Sequence, residues 1–364
     1  MPEDIRIRRV AARAFRIPTD EPEADGTIAW NATTLVLVEI DAGGTTGLGY
    51  TYADAASAEI VTGVLAEVLR GRDALAIPKR WSAMVHAVRN IGWRGVCACA
   101  ISATDVALWD LKARLLDVPL AKLFGEERHE VPIYGSGGFT SYSRDRLQEQ
   151  LAGWIEKEGC RWVKMKIGTA PSDDLARVRA ARDAIGDAGL YVDANGAYHR
   201  KQALHFAEQF AVLGVSWFEE PVSSDDLDGL RLMRDRVPAG MEIAAGEYGY
   251  EQFYFKRMLA AGAVDVLQAD ATRCGGYTGF LKAAALADAW GLPLSAHTAP
   301  ALHLPVCCAA PRLRNIEWFH DHVRIERMVF AGVPVPSEGS IRPDLTRPGH
   351  GLTFKQKDAE RLAA

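Results

Sequence analysis

The chain has 364 residues, of which 48% are hydrophobic and 24% charged, and its formal net charge is −5 at pH 7. This length suits an α/β barrel of about 200–250 residues together with a companion domain. The negative charge and the lack of Lys/Arg runs argue against a nucleic-acid partner. No apolar run approaches the roughly 20 residues of a membrane span, and the opening sequence MPEDIRIRRVAARAF has no apolar signal core. These features predict a cytoplasmic protein.

Residues 1–128 predict a separate α+β domain. Alternating and helical patterns indicate strands over 5–16, 33–41 and 47–52 and helices over 56–70, 79–88 and 97–116. The glycine-rich segment 43–49 lies between two strands with no helix after it. We therefore interpret it as a hairpin turn and not as a phosphate-binding loop.

Residues 129–322 predict a barrel of alternating strands and helices. Eight apolar strands start near 131, 161, 189, 215, 241, 264, 292 and 315. Helical segments follow the first seven strands but none is expected after the eighth, which gives a modified (β/α)7β barrel of the TIM type. Residues 323–364 are rich in Pro and Gly and are predicted to pack back on the first domain.

Seven ionisable residues stand at the ends of successive strands. They are Lys166, Asp193, Glu219, Glu247, Asp270, His297 and Glu317. Because the strand C-termini of a parallel barrel open onto one face, these side chains are expected to converge on one pocket. A buried core would not tolerate so many charges, whereas an active site requires them.

Lys164 and Lys166 share one face of the second strand. Two neighbouring cations lower each other's pKa, and a lysine brought towards neutrality is a usable general base. A lone Lys-x-Lys is commonly a pair of surface residues, so this interpretation depends on the setting at a barrel strand end.

Asp193, Glu219 and Glu247 supply carboxylates from three consecutive strands. Three anions aimed at one point repel unless a cation joins them, and oxygen-only ligation suits Mg²⁺ better than zinc. Asn195 lies one step beyond Asp193 and is expected to support the ligands or contact substrate. Glu220 is expected to point to the other side of the strand and form a salt bridge or hydrogen bond there.

Asp270 and His297 end adjacent strands and predict a dyad in which the carboxylate fixes the imidazole tautomer. Glu317 either is protonated and donates a hydrogen bond to a developing oxyanion, or forms an ion pair with one of the lysines. We reject a metal site at His320 and His322, because they lie past the strand end and a single His-x-His pair is a common accident.

The motifs of the barrel resemble those of the enolase superfamily, specifically its mandelate racemase subgroup, over almost the whole chain. The matching segments are Lys164-Met165-Lys166, Asp193-Ala194-Asn195, Phe218-Glu219-Glu220-Pro221, Ala245-Gly246-Glu247, Asp270 before Gly275-Gly276, Ser295-Ala296-His297 and Ile316-Glu317. The resemblance implies one Mg²⁺ per subunit and a first domain that caps the barrel with specificity loops at 18–33 and 50–57. Trp30 and Tyr52 would then lie near the substrate.

By this resemblance, the reaction begins with removal of the proton α to a carboxylate. Lys166 and His297 would flank the α-carbon, while Lys164, Glu317 and Ser136 would serve the substrate carboxylate. The acidic, polar segment PTDEPEADGTIAW favours a hydroxylated substrate, and hence dehydration of an acid sugar to a 2-keto-3-deoxy acid. Racemisation of a 2-hydroxy acid and cycloisomerisation of a sugar lactone remain alternatives. The resemblance also implies a homo-oligomer, between a dimer and an octamer.

Two further alternatives are weaker. A non-catalytic binding barrel would be expected to have lost part of the site, yet every expected position is present. A phosphosugar barrel would need a glycine-rich cradle after strand seven or eight, and neither strand is followed by one.

Overall fold

The structure is a computed structural model that describes residues 5–363. Its first unit, the cap, is a three-stranded antiparallel sheet packed on helices. Its elements are β1 (Arg9–Ala24), β2 (Ala29–Ala42), β3 (Thr45–Tyr52), α1 (Ala56–Glu59), a π-helical turn (Ile60–Leu65), α2 (Ala66–Leu69), α3 (Ile77–Ala87), α4 (Val96–Leu115) and α5 (Leu120–Phe124). The glycine-rich segment forms the predicted turn, since Gly43 and Gly44 have φ of 59° and 74° between two paired strands.

The sheet approaches α4 closely because β3 carries glycine where the two elements meet. A Cβ at Gly47 would lie 2.2 Å from the carbonyl oxygen of Ala107, and one at Gly49 would lie 2.1 Å from that of Ala103. The small residues of α4 complete this contact, and most of that helix is buried. The cap therefore has its own apolar core.

The segment 18–33, predicted as a loop, is instead the end of a long β-hairpin. Strands β1 and β2 remain paired almost to its tip, with an irregularity between Pro18 and Glu23. The tip is fixed to the barrel by polar contacts: the Thr140 amide donates to the Ala24 carbonyl at 2.9 Å and the Thr140 hydroxyl to the Asp25 carbonyl at 2.9 Å. The sequence hides this extension because residues 18–24, PTDEPEA, include no Val, Ile, Leu or aromatic side chain to mark a strand.

The second unit is a closed parallel barrel of eight strands. The strands are β4 (Val131–Gly137), β5 (Trp162–Lys166), β6 (Gly189–Asp193), β7 (Val215–Glu219), β8 (Glu242–Ala245), β9 (Val266–Ala269), β10 (Leu294–Ala296) and β11 (Leu313–Phe319). The intervening helices are α6 (Arg144–Glu158), α7 (Pro171–Ile185), α8 (Arg200–Val212), α9 (Leu227–Arg236), α10 (Gln252–Ala260), α11 (Gly276–Ala289) and α12 (Pro300–Ala309). Strand β11 pairs in parallel with β4, which closes the barrel and confirms the predicted fold.

The lower part of the barrel interior is filled by aromatic side chains. Tyr134, Tyr191 and Trp217 are fully buried there, and the rings of Tyr191 and Trp217 stack at 4.8 Å. Such a filled interior is a packed core and not a pore. The ionisable residues above it therefore rest on a rigid floor.

The expectation that no helix follows the eighth strand is wrong. Helix α13 (His320–Val329) begins directly after β11 and spans the predicted boundary at 322/323. Its buried face includes acidic residues that hydroxyl groups of the cap satisfy: Thr33 donates to Asp321 at 2.5 Å and Tyr50 donates to Glu326 at 2.6 Å. A search for apolar periodicity cannot find a helix whose buried positions are partly acidic.

The remaining elements are short. They are β12 (Phe330–Ala331), β13 (Ser340–Ile341), β14 (Thr353–Phe354), α14 (Gln356–Ala359) and a 3-10 turn (Glu360–Leu362). This last segment contacts the cap, where the rings of Phe354 and Phe15 are 5.5 Å apart and Arg114 donates to the Leu352 carbonyl at 2.9 Å. Among residues 5–363 no helix has the length and apolar character needed to cross a membrane.

Candidate active site

The strand ends bring seven ionisable side chains together at one mouth of the barrel. Parallel pairing places Lys166 beside Asp193 and Asp193 beside Glu219, so these three form a row along β5, β6 and β7. The other four lie within two residues of the last positions of β8 to β11: Glu247, Asp270, His297 and Glu317. Above them is a pocket of about 400 Å³ between barrel and cap.

Asp193, Glu219 and Glu247 form a buried group of carboxylates. One oxygen from each lies within 4.8 Å of the others, and all three residues are buried. Glu219 Oε1 accepts no hydrogen bond among the described residues, and Glu247 Oε2 has only the ring nitrogen of His297 beside it, at 3.2 Å. A buried carboxylate oxygen without a donor is unfavourable unless a cation satisfies it. This donor set therefore fits a hard divalent cation such as Mg²⁺.

The pKa values of both lysines of β5 are raised, contrary to the expectation that a lysine here is brought towards neutrality. Burial and Lys164 disfavour the charge on Lys166, but its Nζ lies 2.5 Å from Asp193 Oδ2 and this carboxylate raises the pKa. Lys164 Nζ lies 2.7 Å from Glu219 Oε2 and 2.8 Å from Glu317 Oε1, and its pKa is also raised despite full burial. Nearby carboxylates outweigh the repulsion between the two ammonium groups.

Glu317 is the counterion of Lys164, which corrects the hypothesis that it is protonated. Burial alone would raise its pKa, but Lys164 and His297 outweigh burial and lower the pKa to about 2. Its oxygens also accept from Ser136 Oγ at 2.5 Å and from the Thr298 amide at 3.1 Å. Ser136 is fully buried beneath the pocket, so its hydroxyl holds Glu317 and not a substrate carboxylate.

Asp270 and His297 form a dyad. His297 Nδ1 lies 2.8 Å from Asp270 Oδ2, and the Thr272 amide holds the other Asp270 oxygen at 2.7 Å. On the opposite side of the ring, His297 Nε2 is 3.2 Å from Glu247 Oε2. Burial lowers the pKa of His297, but Glu247 and the hydrogen bond to Asp270 outweigh it and raise the pKa to about 9.

Glu220 and Asn195 both sit in backbone conformations with positive φ, 37° and 46°. Glu220 does not make the predicted salt bridge: it is buried, its Oε1 has no partner among residues 5–363, and its pKa is raised by burial and by Glu247. The charges of Glu247, Asp193 and Glu219 all act on it, which a side chain on the far side of the strand would not be expected to experience. Asn195 lines the pocket, and its buried Oδ1 has no hydrogen-bond partner in the described part of the chain.

The cap closes the pocket with aromatic side chains. Trp30 and Tyr52 line it, and the Trp30 indole donates to Glu23 at 2.8 Å. Tyr52 stacks on the ring of His322, with centroids 3.5 Å apart. His322, for which the sequence predicts no role, lines this pocket, whereas His320 lies outside it and pairs with Asp20 at 2.9 Å.

Arg273 also lines the pocket, although the sequence does not predict it as a site residue. It follows β9 and lies 3.5 Å from both Glu247 Oε1 and Asp270 Oδ2, so it joins the carboxylate group to the dyad. Arg273 stands three residues after Asp270 and shortly before Gly275 and Gly276. A charged residue so close to the end of a barrel strand could have been predicted to reach the pocket.

Most of the chain matches two family models. Residues 11–125 match the mandelate racemase/muconate lactonizing enzyme N-terminal domain, and residues 146–359 match the enolase C-terminal domain-like family. The chain belongs to the mandelate racemase/muconate lactonizing enzyme family of the enolase superfamily. The resemblance drawn from the barrel motifs is thereby confirmed.

Three family members show its range. A mandelate racemase/muconate lactonizing enzyme-like protein from Rubrobacter xylanophilus is 52% identical, with a TM-score of 0.96 over 99% of this chain and all of that one. The 3,6-anhydro-α-L-galactonate cycloisomerase of Streptomyces coelicolor is 35% identical over 98% of this chain and 99% of its own. The L-talarate/galactarate dehydratase of Salmonella typhimurium, solved with Mg and L-lyxarohydroxamate, is 28% identical with a TM-score of 0.90, over 99% of this chain and 93% of that one.

Proposed function

We propose that this protein is a magnesium-dependent lyase that removes the proton α to the carboxylate of a sugar acid and expels an oxygen from the β-carbon. In its main form the reaction dehydrates an aldonate or aldarate to a 2-keto-3-deoxy acid. The observation that carries the proposal is one pocket in which Lys166, His297 and a buried three-carboxylate group meet.

Asp193, Glu219 and Glu247 would hold the magnesium ion. The bound ion would supply a Lewis acid that stabilises negative charge on the substrate carboxylate during proton removal. Lys164 adds a second fixed positive charge beside this group, and it is held in place by Glu317, which in turn accepts a hydrogen bond from Ser136. Preorganised charges of this kind need no rearrangement as the negative charge develops.

Lys166 and His297 are the proton-transfer groups. They come from β5 and from the end of β10, three strands apart around the eight-stranded ring, so they reach the pocket from different sides. One takes the α-proton, and the protonated partner gives a proton to the departing β-oxygen as the β C–O bond breaks. The resulting enol acid then becomes the 2-keto acid by proton transfer to carbon-3.

Lys166 would become a better base with a cation held by Asp193, Glu219 and Glu247. These three carboxylates raise its pKa, Asp193 most of all, and they would then share their charge with the cation. Burial and Lys164 would be left to lower the pKa towards the range of a general base. The predicted role of Lys166 thus fits the loaded site better than the metal-free one.

A second candidate is the opening of a sugar ring by the same chemistry. The 35% identity with a cycloisomerase over nearly the full length of both chains favours it. In that reaction the expelled β-oxygen remains attached as a ring-derived hydroxyl, so no water leaves. Racemisation would require the second group to protonate the α-carbon itself, and it remains the third alternative.

Proton NMR of a panel of sugar acids in D₂O with Mg²⁺ tests the proposal. A new C3 methylene signal from an open-chain acid establishes dehydration, and loss of an anhydro or lactone ring establishes ring opening. An epimer with deuterium at C2 establishes racemisation. Absence of any exchange or product in protein that binds Mg²⁺ would reject catalysis and favour the binding barrel.

The proposal includes action in the cytoplasm on a small carboxylate, by a homo-oligomer that needs no nucleic acid or membrane. All six cysteines are free and buried, as expected in a reducing compartment. Light scattering on the purified protein tests the assembly.

A further inference from the structure

We propose that the pocket selects sugar acids with a single carboxylate, of the aldonate class, over dicarboxylic aldarates. This inference rests on the proposed function and narrows its substrate class. A substrate held by its C1 carboxylate at the barrel end directs its far end towards the cap. The charges of the cap wall therefore decide which far end is accepted.

The cap wall of the pocket carries negative charge only. It is formed by residues between 25 and 54, and the charged side chains among them are Asp25 and Asp54. Asp25 is buried and its Oδ1 accepts from the amides of Thr27 at 2.6 Å and Ile28 at 2.8 Å, so the carboxylate is fixed in place. Asp54 is exposed and its Oδ1 accepts from the Ala56 amide at 2.9 Å.

The basic side chains of the pocket lie at the barrel end and face carboxylates already. Lys166 is paired with Asp193, Arg273 with Glu247 and Asp270, and His297 with Asp270. His322 offers no charge either, because its Nδ1 accepts from the Ala299 amide at 3.3 Å and its ring is stacked on Tyr52. No cation lining this pocket is left for a second substrate carboxylate.

The rest of the cap wall suits an uncharged far end. Trp30, Tyr52 and Ile28 present apolar surface, and Thr34 adds a hydroxyl. A carboxylate moved from water into such surroundings loses hydration without gaining an ion pair, and the fixed anions repel it. A hydroxymethyl group, a methyl group or a ring edge is uncharged, so it neither loses the hydration of a charge nor is repelled by these anions.

Matched acid pairs that differ only at C6 test the inference: D-galactonate with galactarate, D-gluconate with D-glucarate, and D-mannonate with D-mannarate. We expect kcat/KM for each accepted aldonate to exceed that of its aldarate by at least about tenfold. Calorimetry on magnesium-loaded Lys166→Ala protein, which does not turn substrate over, should show the same order of Kd values.

Two variants assign the selectivity to the cap. Asp54→Asn keeps the hydrogen bond to the Ala56 amide and should raise the aldarate-to-aldonate ratio of kcat/KM roughly three- to tenfold. Asp73→Asn is its matched control, since Asp73 is also exposed, caps the Leu75 amide at 2.9 Å and lies outside the pocket. Ile28→Lys should raise the same ratio further, and Ile28→Met should not.

If an aldarate is turned over or bound with the same efficiency as its paired aldonate, the inference is wrong while the proposed function stands. If no acid is turned over, the proposed function is wrong. The inference is then decided only by whether calorimetry gives a lower Kd for each aldonate than for its paired aldarate. Equal effects of Asp54→Asn and Asp73→Asn would also overturn it, because the charge beside the pocket would then not matter.

Discussion

Replacing Asp270 with asparagine tests how the protein prepares His297 for proton transfer. The change keeps the size of the side chain and the oxygen that accepts from the Thr272 amide. It removes the charge 2.8 Å from His297 Nδ1 and presents an amide NH₂ there, which favours the wrong imidazole tautomer. A charge-assisted hydrogen bond contributes about 1.5–3 kcal/mol, so kcat/KM should fall about 10- to 100-fold.

The assay compares two rates for one substrate in D₂O: exchange of the α-proton and formation of product. If Lys166 takes the proton and His297 protonates the departing oxygen, Asp270→Asn slows product formation more than exchange. The carboxylate also raises the pKa of His297, so the limb of the pH profile that needs the protonated imidazole should move to lower pH. Unchanged rates and an unchanged profile would refute this role of the dyad.

Three further predictions concern the metal group and the fold. Asp193→Asn should weaken Mg²⁺ binding on the order of 100-fold by calorimetry, and unchanged affinity would place the ion elsewhere. Burial raises the pKa of Glu326 to about 8, so between pH of about 4.5 and 8 its carboxyl group is protonated in the folded protein and ionised in the unfolded chain. The free energy of unfolding therefore falls as the pH rises through this range. Glu326→Gln should therefore gain stability relative to the native protein by up to about 1.4 kcal/mol per pH unit in urea titrations, and a difference independent of pH would contradict this. Gly49→Ala should cost about 1–3 kcal/mol, seen as a lower Tm, because its methyl group meets the Ala103 carbonyl; an unchanged Tm would refute that contact.

The barrel and its charged mouth were predictable because each signal is local. An apolar run marks each strand, and in a parallel barrel the residue at its C-terminal end can face only one mouth. Lys166, Asp193 and Glu219 thus needed no knowledge of distant contacts. The order of the strands in the barrel then places these three residues beside one another.

The errors arose where the outcome depends on residues far apart in the sequence. The pKa of Lys164 is raised by Glu219 and Glu317, 55 and 153 residues later, which the pair of lysines alone does not reveal. Helix α13 depends on hydroxyl groups of the cap that satisfy its buried acids. Glu220 was misplaced because a positive φ of 37° interrupts the alternation of side chains along a strand.

The most direct test of the account is α-proton exchange in D₂O with Lys166→Ala and His297→Asn, each first shown to bind Mg²⁺. The substrate is the sugar acid that the native protein turns over fastest. We predict that product formation falls by about 10²- to 10⁴-fold in both variants and that exchange is lost in the variant lacking the base. Native rates of exchange and product formation in either variant would contradict the assignment of that residue to proton transfer.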